Sequence, residues 1–132
     1  MKHDEFIKHV QSVAWLSSRK EAERATQATL ETIRERIVGD EASQLAAQLP
    51  KEFGQYLRGR EGENGDIFGL KEFIERVSQK EGVEPTVAAT HAKAVFIVLA
   101  SAVTPGEFAD VRANFSEDYN DLFPTYSGVS VS

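Results

Sequence analysis

The chain has 132 residues, of which 41% are apolar and 27% charged, and it contains no cysteine. This composition is typical of a folded globular domain, and it excludes a disulfide framework and cysteine-based metal sites. The net charge of −6 disfavours binding to nucleic acid. Acids in residues 1–5 argue against a signal peptide, so we expect a cytoplasmic protein.

Charge and hydropathy are unevenly distributed along the chain. Residues 1–60 hold ten Lys/Arg and nine Asp/Glu, a net charge of +1, whereas residues 61–132 hold five and twelve, a net charge of −7. Charge runs are usually solvated, so we expect an exposed acidic surface, with an acidic face for a basic partner as the alternative. The longest apolar stretch, 94–103, is much shorter than the roughly 20 residues that cross a bilayer, so we expect no membrane span.

Apolar residues recur at intervals of three and four from the start of the chain, which predicts helices rather than strands. A first helix through Phe6 and Val10 is expected to end near Trp15, whose ring should cover the core. Ser18 and Glu21 form a capping-box pattern that begins a second helix. The predicted core face of this second helix consists of Ala22, Thr26, Leu30, Ile33 and Ile37.

Two shorter helices are expected next. Gly39 should end the second helix in a left-handed conformation, and Asp40 should cap a third helix. Pro50 then begins a short fourth helix, because proline is tolerated at the first helical position. Residues 58–66, rich in glycine and charge, form a connection to the rest of the chain.

The second part of the chain is predicted to contain four helices in the same order. Gly82 should end the first of them in a left-handed conformation, and Pro85 should begin the second. Thr104 and Glu107 form a capping-box pattern for the third. Residues 125–132, a Ser- and Gly-containing end, are expected to form a flexible tail.

An internal repeat relates the two parts of the chain. Phe6 is matched by Phe73 at an offset of 67 residues, and after one deleted residue the offset is 66, which pairs Leu30 with Phe96. The same offset pairs Glu41 with Glu107. We therefore predict an all-α protein of about eight helices, formed by tandem duplication of a helical unit of roughly 60 residues. The first unit is residues 1–60 and the second is residues 67–124, and we expect them to share one bundle.

Four segments carry a resemblance to a known family. They are the Asp-Glu-Phe-Ile that begins at Asp4, the helix that begins at Glu21, the run 45–50 and the run 106–113. Together they resemble the bacterial family called domain of unknown function 2267. The resemblance covers about residues 3–123. It implies a small, mainly helical bacterial protein with duplicated halves, and it implies no reaction, cofactor or catalytic residue.

The possible metal ligands do not form a recognisable site. His3 and His9 are six residues apart, so they do not share a helix face as a ligand pair would. The connection is acidic, but an EF-hand loop needs Asp first and Gly sixth, where this chain has Glu61 and Asp66. His91 is expected to be a partly buried structural histidine. We therefore expect no metal, no cofactor and no enzymatic activity.

Basic residues are concentrated on the second predicted helix. They are Arg19, Lys20, Arg24, Arg34 and Arg36. Glutamates alternate with them along the helix, which is typical of an exposed face with salt bridges rather than of a phosphate-binding track. We therefore expect no nucleic-acid partner.

The long helix of the second unit differs from its counterpart because it is apolar nearly all round. Its outer face contains Ala94, Ile97, Val98 and Ser101. A helix of this kind is usually buried on all sides, so we expect these residues to be covered by the first unit or by a second copy of the chain. We favour the homodimer, because exposed apolar patches often mark association sites.

The sequence thus predicts a non-enzymatic helical module for protein association, either as a homodimer or with another protein. The alternative is a small-molecule or lipid-binding protein with an apolar pocket between the two units. That pocket would be lined by Phe73, Phe96, Phe108 and Phe115. A cavity of several hundred cubic ångströms between the units would favour the alternative.

Overall fold

The computed structural model describes residues 1–124, and the predicted tail at 125–132 lies outside them. These residues form seven α-helices and two short 3₁₀ segments and contain no strand, which confirms the all-α prediction. The α-helices are α1 (His3–Val13), α2 (Arg19–Arg36), α3 (Gly39–Gln48), α4 (Gly54–Leu57), α5 (Leu70–Glu81), α6 (Pro85–Ala102) and α7 (Pro105–Ala113). The 3₁₀ segments are Lys51–Phe53, which leads directly into α4, and Glu117–Leu122.

Two of the predicted helix caps form, in different ways. At the start of α2 the Ser18 hydroxyl oxygen accepts the Glu21 N–H at 3.1 Å and donates to the Glu21 carboxylate at 3.3 Å. At the start of α7 the Thr104 hydroxyl oxygen accepts the Glu107 N–H at 3.2 Å. The Thr104 N–H, however, donates to Gln48 Oε1 of α3 at 2.8 Å. The carboxylate of Glu107 therefore takes no part in capping its own helix.

Glycine has different roles at the two predicted helix stops. Gly82 ends α5 with a φ of 76°, as predicted. The prediction for Gly39 is wrong, because α2 ends at Arg36 and Gly39 is the first residue of α3. A Cβ atom on Gly39 would lie 1.7 Å from the carbonyl oxygen of Arg60. Glycine is thus needed at position 39 because the connection passes directly over it.

The long helices α2 and α6 form the centre of the bundle. Helix α6 packs against α1, α2, α5 and the segment Glu117–Leu122, and α2 packs against α1, α4, α5 and α6. Leu30, Ile33, Phe96 and Leu99 are at most 1% exposed. One continuous hydrophobic cluster includes residues from both predicted units. The helices of the two units therefore bury their apolar faces against each other.

Arg36 links the end of α2 to the second part of the chain. Its side chain donates to the carbonyl oxygens of Phe68 at 2.8 Å and of Asn114 at 3.0 Å. The guanidinium carbon lies 5.3 Å from the centroid of the Tyr119 ring, whose hydroxyl also donates to Phe68 O, at 2.6 Å. Arg36 is only 6% exposed, so the prediction that it lies on an exposed face is wrong. The carbonyl groups that meet at this junction need a buried donor, and Arg36 supplies it.

Candidate functional site

The predicted outer face of α6 is partly buried within the helical bundle. Ala94 and Val98 are each 2% exposed, whereas Ile97 is half-buried and Ser101 is exposed. Helix α6 packs against both α1 and α2 of the first predicted unit. Ala94 and Val98 therefore have almost no surface left for a second copy. By length and composition alone α6 could also span a membrane, but it is a packed helix of the bundle.

The four predicted pocket residues do not line one cavity. Phe73, Phe96 and Phe115 pack edge to face, with ring centroids about 6 Å apart, and each is at most 6% exposed. Phe108 instead lines a surface groove of about 530 Å³ within the second unit. The other residues lining that groove are Pro105, Ala109, Arg112, Asn120, Phe123 and Pro124.

His91 and Glu81 form a buried pair between the end of α5 and α6. The Nδ1 atom of His91 is hydrogen-bonded to Glu81 Oε2, and the side chains are 8% and 2% exposed. Burial raises the pKa of Glu81, and the hydrogen bond from His91 partly offsets this effect. Since both groups are closed to solvent, the pair has a structural role in joining two helices.

Trp15 is the residue at which the structure differs most from the sequence prediction. The side chain is 93% exposed, so the prediction that it covers the core is wrong. Helix α1 ends at Val13, and the Leu16 N–H donates to the carbonyl oxygen of Gln11 at 2.9 Å. This bond closes the last turn with Trp15 in the left-handed conformation, at a φ of 57°. Among residues 1–124 Trp15 is the one non-glycine residue with a positive φ.

The equivalent turn of the second unit contains glycine at this position. At the repeat offset of 67, Trp15 corresponds to Gly82, which has a φ of 76°. There the Val83 N–H donates to the carbonyl oxygen of Ser78 at 3.2 Å. This hydrogen bond corresponds to the one between Leu16 and Gln11, 67 residues earlier in the sequence. A left-handed conformation costs a non-glycine residue about 1 to 2 kcal/mol. Trp15 therefore keeps a strained backbone conformation although its side chain contributes little to packing.

Trp15 lies beside a shallow depression of about 800 Å³ on the outer side of α1, which we call the Trp15 surface. It is lined by Lys8, His9, Gln11, Ser12, Trp15 and Leu16. Residues 8–20 contain Lys8, Arg19 and Lys20 and no acid, a net charge of +3. Arg19, however, forms salt bridges with Asp4 at 2.6 Å and with Glu23 at 3.2 Å, and Lys8 is the one Lys or Arg that lines the depression.

Ile67 is the second large apolar side chain that is almost fully exposed, at 87%. It lies in residues 61–72, which we call the Ile67 surface and which contain four acids and one lysine, a net charge of −3. The N–H of the adjacent Asp66 donates to the carbonyl oxygen of Glu35 at 2.8 Å, at the end of α2. Trp15 precedes the start of α2, and an 18-residue helix is about 27 Å long. The two exposed apolar residues therefore lie at opposite ends of α2. The acids Glu63, Asp66 and Glu72 of the Ile67 surface form salt bridges with Arg60 and Arg76.

A comparison with protein families identifies the chain. The family model described as "Uncharacterized conserved protein (DUF2267)" matches residues 3–122, so the chain belongs to this family, as the resemblance predicted. The match includes nearly all of both predicted units. A comparison with curated proteins gives no match.

Proposed function

We propose that this member of the DUF2267 family is a self-associating helical module of the cytoplasm, in which the Trp15 surface of one copy binds the Ile67 surface of the next. The observation that carries the proposal is Trp15, which is exposed and held in a strained conformation. Tryptophan is strongly enriched among the residues that dominate binding energy at protein interfaces. A second copy is the favoured partner because the chain itself presents a second exposed apolar residue, Ile67, which is 87% exposed and could pack against the indole ring.

The arrangement of the two surfaces allows two kinds of assembly. An antiparallel two-fold dimer would pair the Trp15 surface of each copy with the Ile67 surface of the other, whereas a head-to-tail contact would use one surface of each kind. We propose the head-to-tail contact, in which each added copy leaves one Trp15 surface and one Ile67 surface free. Contacts of this kind generate closed rings or open filaments.

We also propose that the chain arose by tandem duplication. The long helices α2 and α6 both have 18 residues, and their starts at Arg19 and Pro85 are separated by the same 66 residues as the sequence repeat. The helix order around them is also the same in both units. In this view tryptophan stands in the first unit where the second unit has the helix-ending glycine, Gly82.

Mixing two variants tests the proposed contact. Trp15→Gly removes one surface and leaves the Ile67 surface intact, whereas Ile67→Lys does the reverse. We expect the wild-type chain to exceed the monomer mass in light scattering and each variant alone to be monomeric. An equimolar mixture of the two should form a dimer, because one intact surface of each kind is present. Val87→Ser is the matched control, since Val87 is 40% exposed and lies outside both surfaces.

Other outcomes would contradict the proposal. A wild-type chain that remains monomeric at its highest soluble concentration would exclude self-association through these surfaces. Assemblies that survive both substitutions would show that the contact lies elsewhere. A dimer that is lost only in Trp15→Gly, and is not restored by mixing, would indicate a symmetric contact between two Trp15 surfaces.

A further inference from the structure

Three carboxylates meet where α3 packs against α7. One oxygen from each of Glu41, Glu107 and Asp110 lies within 4.8 Å of the other two. Glu41 is the third residue of α3 and Glu107 is the third residue of α7, so the first turns of the two helices contribute the pair. Asp110 follows Glu107 by one turn and is exposed, which leaves the cluster open to solvent on one side.

The two glutamates have no basic partner in the part of the chain that the structure describes. Glu107 is only 8% exposed, and its Oε2 atom, like Oε2 of Glu41, is shielded from solvent without a hydrogen-bond donor in residues 1–124. Within the same range, Glu41, Glu107 and Asp110 form no salt bridge with any Lys, Arg or His. A glutamate in a capping box accepts a hydrogen bond from the N–H of the N-cap residue. Here that N–H belongs to Thr104, and it donates to Gln48 Oε1 instead. Within residues 1–124 the buried Glu107 carboxylate therefore lies beside the Glu41 carboxyl group without a basic partner.

The donor set of the cluster suits a cation. An ionised carboxylate can only accept hydrogen bonds, so a positive species between three such groups would relieve their repulsion. Oxygen ligands of this kind are those preferred by hard divalent cations.

We propose that Glu41, Glu107 and Asp110 form a binding site for a hard divalent cation, with Ca²⁺ as the favoured ion. Calcium binds oxygen at 2.3–2.6 Å, so two of its ligands are at most about 5.2 Å apart, and the oxygens of the cluster lie within this limit. Mg²⁺ demands near-ideal octahedral geometry and releases its water reluctantly, so we expect it to bind more weakly.

Binding at this position would connect the two units of the chain, because Glu41 belongs to the first unit and Glu107 to the second. Calcium takes six to eight ligands, so water and bidentate carboxylates complete its coordination, and we expect the weak affinity class of about 10⁻⁴ to 10⁻³ M. No spacing motif predicts such a site, because its two glutamates are 66 residues apart in the sequence. The cation site is independent of the Trp15 and Ile67 surfaces.

Calcium titration of the full-length chain tests the proposal. After treatment with EDTA, isothermal titration calorimetry with CaCl₂ should show one site per chain, with weaker binding of MgCl₂. Glu107→Gln keeps the shape of the side chain and should weaken Ca²⁺ binding at least tenfold. It should also remove the rise in melting temperature caused by calcium. Glu75→Gln, on the exposed face of α5, is the charge-matched control and should bind like the wild-type chain.

A second variant keeps the test independent of folding. Asp110→Asn changes an exposed side chain and should also weaken Ca²⁺ binding. This variant tests the cation site even if Glu107→Gln does not fold. The absence of both heat and a change in melting temperature up to about 5 mM CaCl₂, above the weakest class of calcium sites, would overturn the proposal. Equal affinity in the wild-type and Asp110→Asn chains would show non-specific binding to acidic surface and would overturn it as well.

Discussion

At the scale of single residues, Trp15 gives the clearest separation between stability and function. Its backbone is left-handed and its side chain contributes almost no burial, so replacement by glycine removes strain and little packing. We expect Trp15→Gly to raise the free energy of unfolding by about 0.5 to 1 kcal/mol, because the gain in the folded state exceeds the added entropy of glycine in the unfolded state. Urea denaturation of the monomeric chain measures this difference.

Trp15→Ala is the control for the backbone contribution. Alanine keeps the Cβ atom and so keeps the left-handed strain, but it removes the indole ring. We therefore expect no comparable gain in stability from Trp15→Ala, whereas self-association should be lost in both variants. Equal stabilisation by alanine and glycine would contradict the assignment of strain to the backbone of Trp15.

Asp118 makes a pH-dependent contribution to the stability of the chain at the start of α5. Its carboxylate accepts the Leu70 N–H at 2.7 Å and the hydroxyl of Ser116, and these hydrogen bonds lower the pKa of Asp118 below its usual value of 3.8. The folded chain thus binds fewer protons than the unfolded chain in this acidic range. The contribution to stability is present above about pH 4 and is lost as the pH falls through the lowered pKa.

We therefore predict that the effect of Asp118→Asn depends on pH. The amide can still accept the Leu70 N–H, so the substitution removes mainly the charge. The variant should be less stable than the wild-type chain at pH 7, and the difference should shrink as the pH falls below about 4. Denaturation curves at several pH values measure it. A difference that is the same at pH 7 and at pH 3 would exclude the ionised carboxylate as the cause.

At the scale of helices, local signals predicted where most elements begin. Ser18 begins α2, and Pro85 and Pro105 begin α6 and α7, because caps and N-terminal prolines act through neighbouring backbone groups. The stop at Gly39 was predicted wrongly, since that glycine is required by contact with Arg60 rather than by local conformation. A close approach between distant segments leaves no local pattern in the sequence.

The candidate sites were less predictable than the helices for the same reason. The exposure of Trp15 could have been found from the repeat, because the offset of 67 aligns it with the left-handed Gly82. The cluster of Glu41, Glu107 and Asp110 depends on the packing of α3 against α7, which periodicity does not determine. Arg36 was assigned to an exposed face because its sequence neighbours are charged, and only the junction of the two units explains its burial.

At the scale of the whole molecule, the two predicted units pack against each other. Helix α6 of the second unit packs against α1 and α2 of the first, and both units contribute to one hydrophobic cluster. Arg36 has its two carbonyl acceptors, on Phe68 and Asn114, beyond the end of the first unit. A separate first unit would expose this apolar surface and leave a guanidinium group without its partners, and about 60 residues support only a small core.

We therefore predict that residues 1–66, produced alone, do not unfold cooperatively, whereas the full chain does. Mixing this fragment with residues 67–132 should restore helical content beyond the sum of the two, because each fragment supplies the missing partner for the apolar faces of α2 and α6. Circular dichroism during thermal unfolding measures both effects, with the full-length chain as the reference. A fragment 1–66 that melts cooperatively at the same temperature as the full chain would show that the first unit folds independently. In that case the contacts of α6 and Arg36 would connect two domains that each fold independently, and they would not be needed to form a single core.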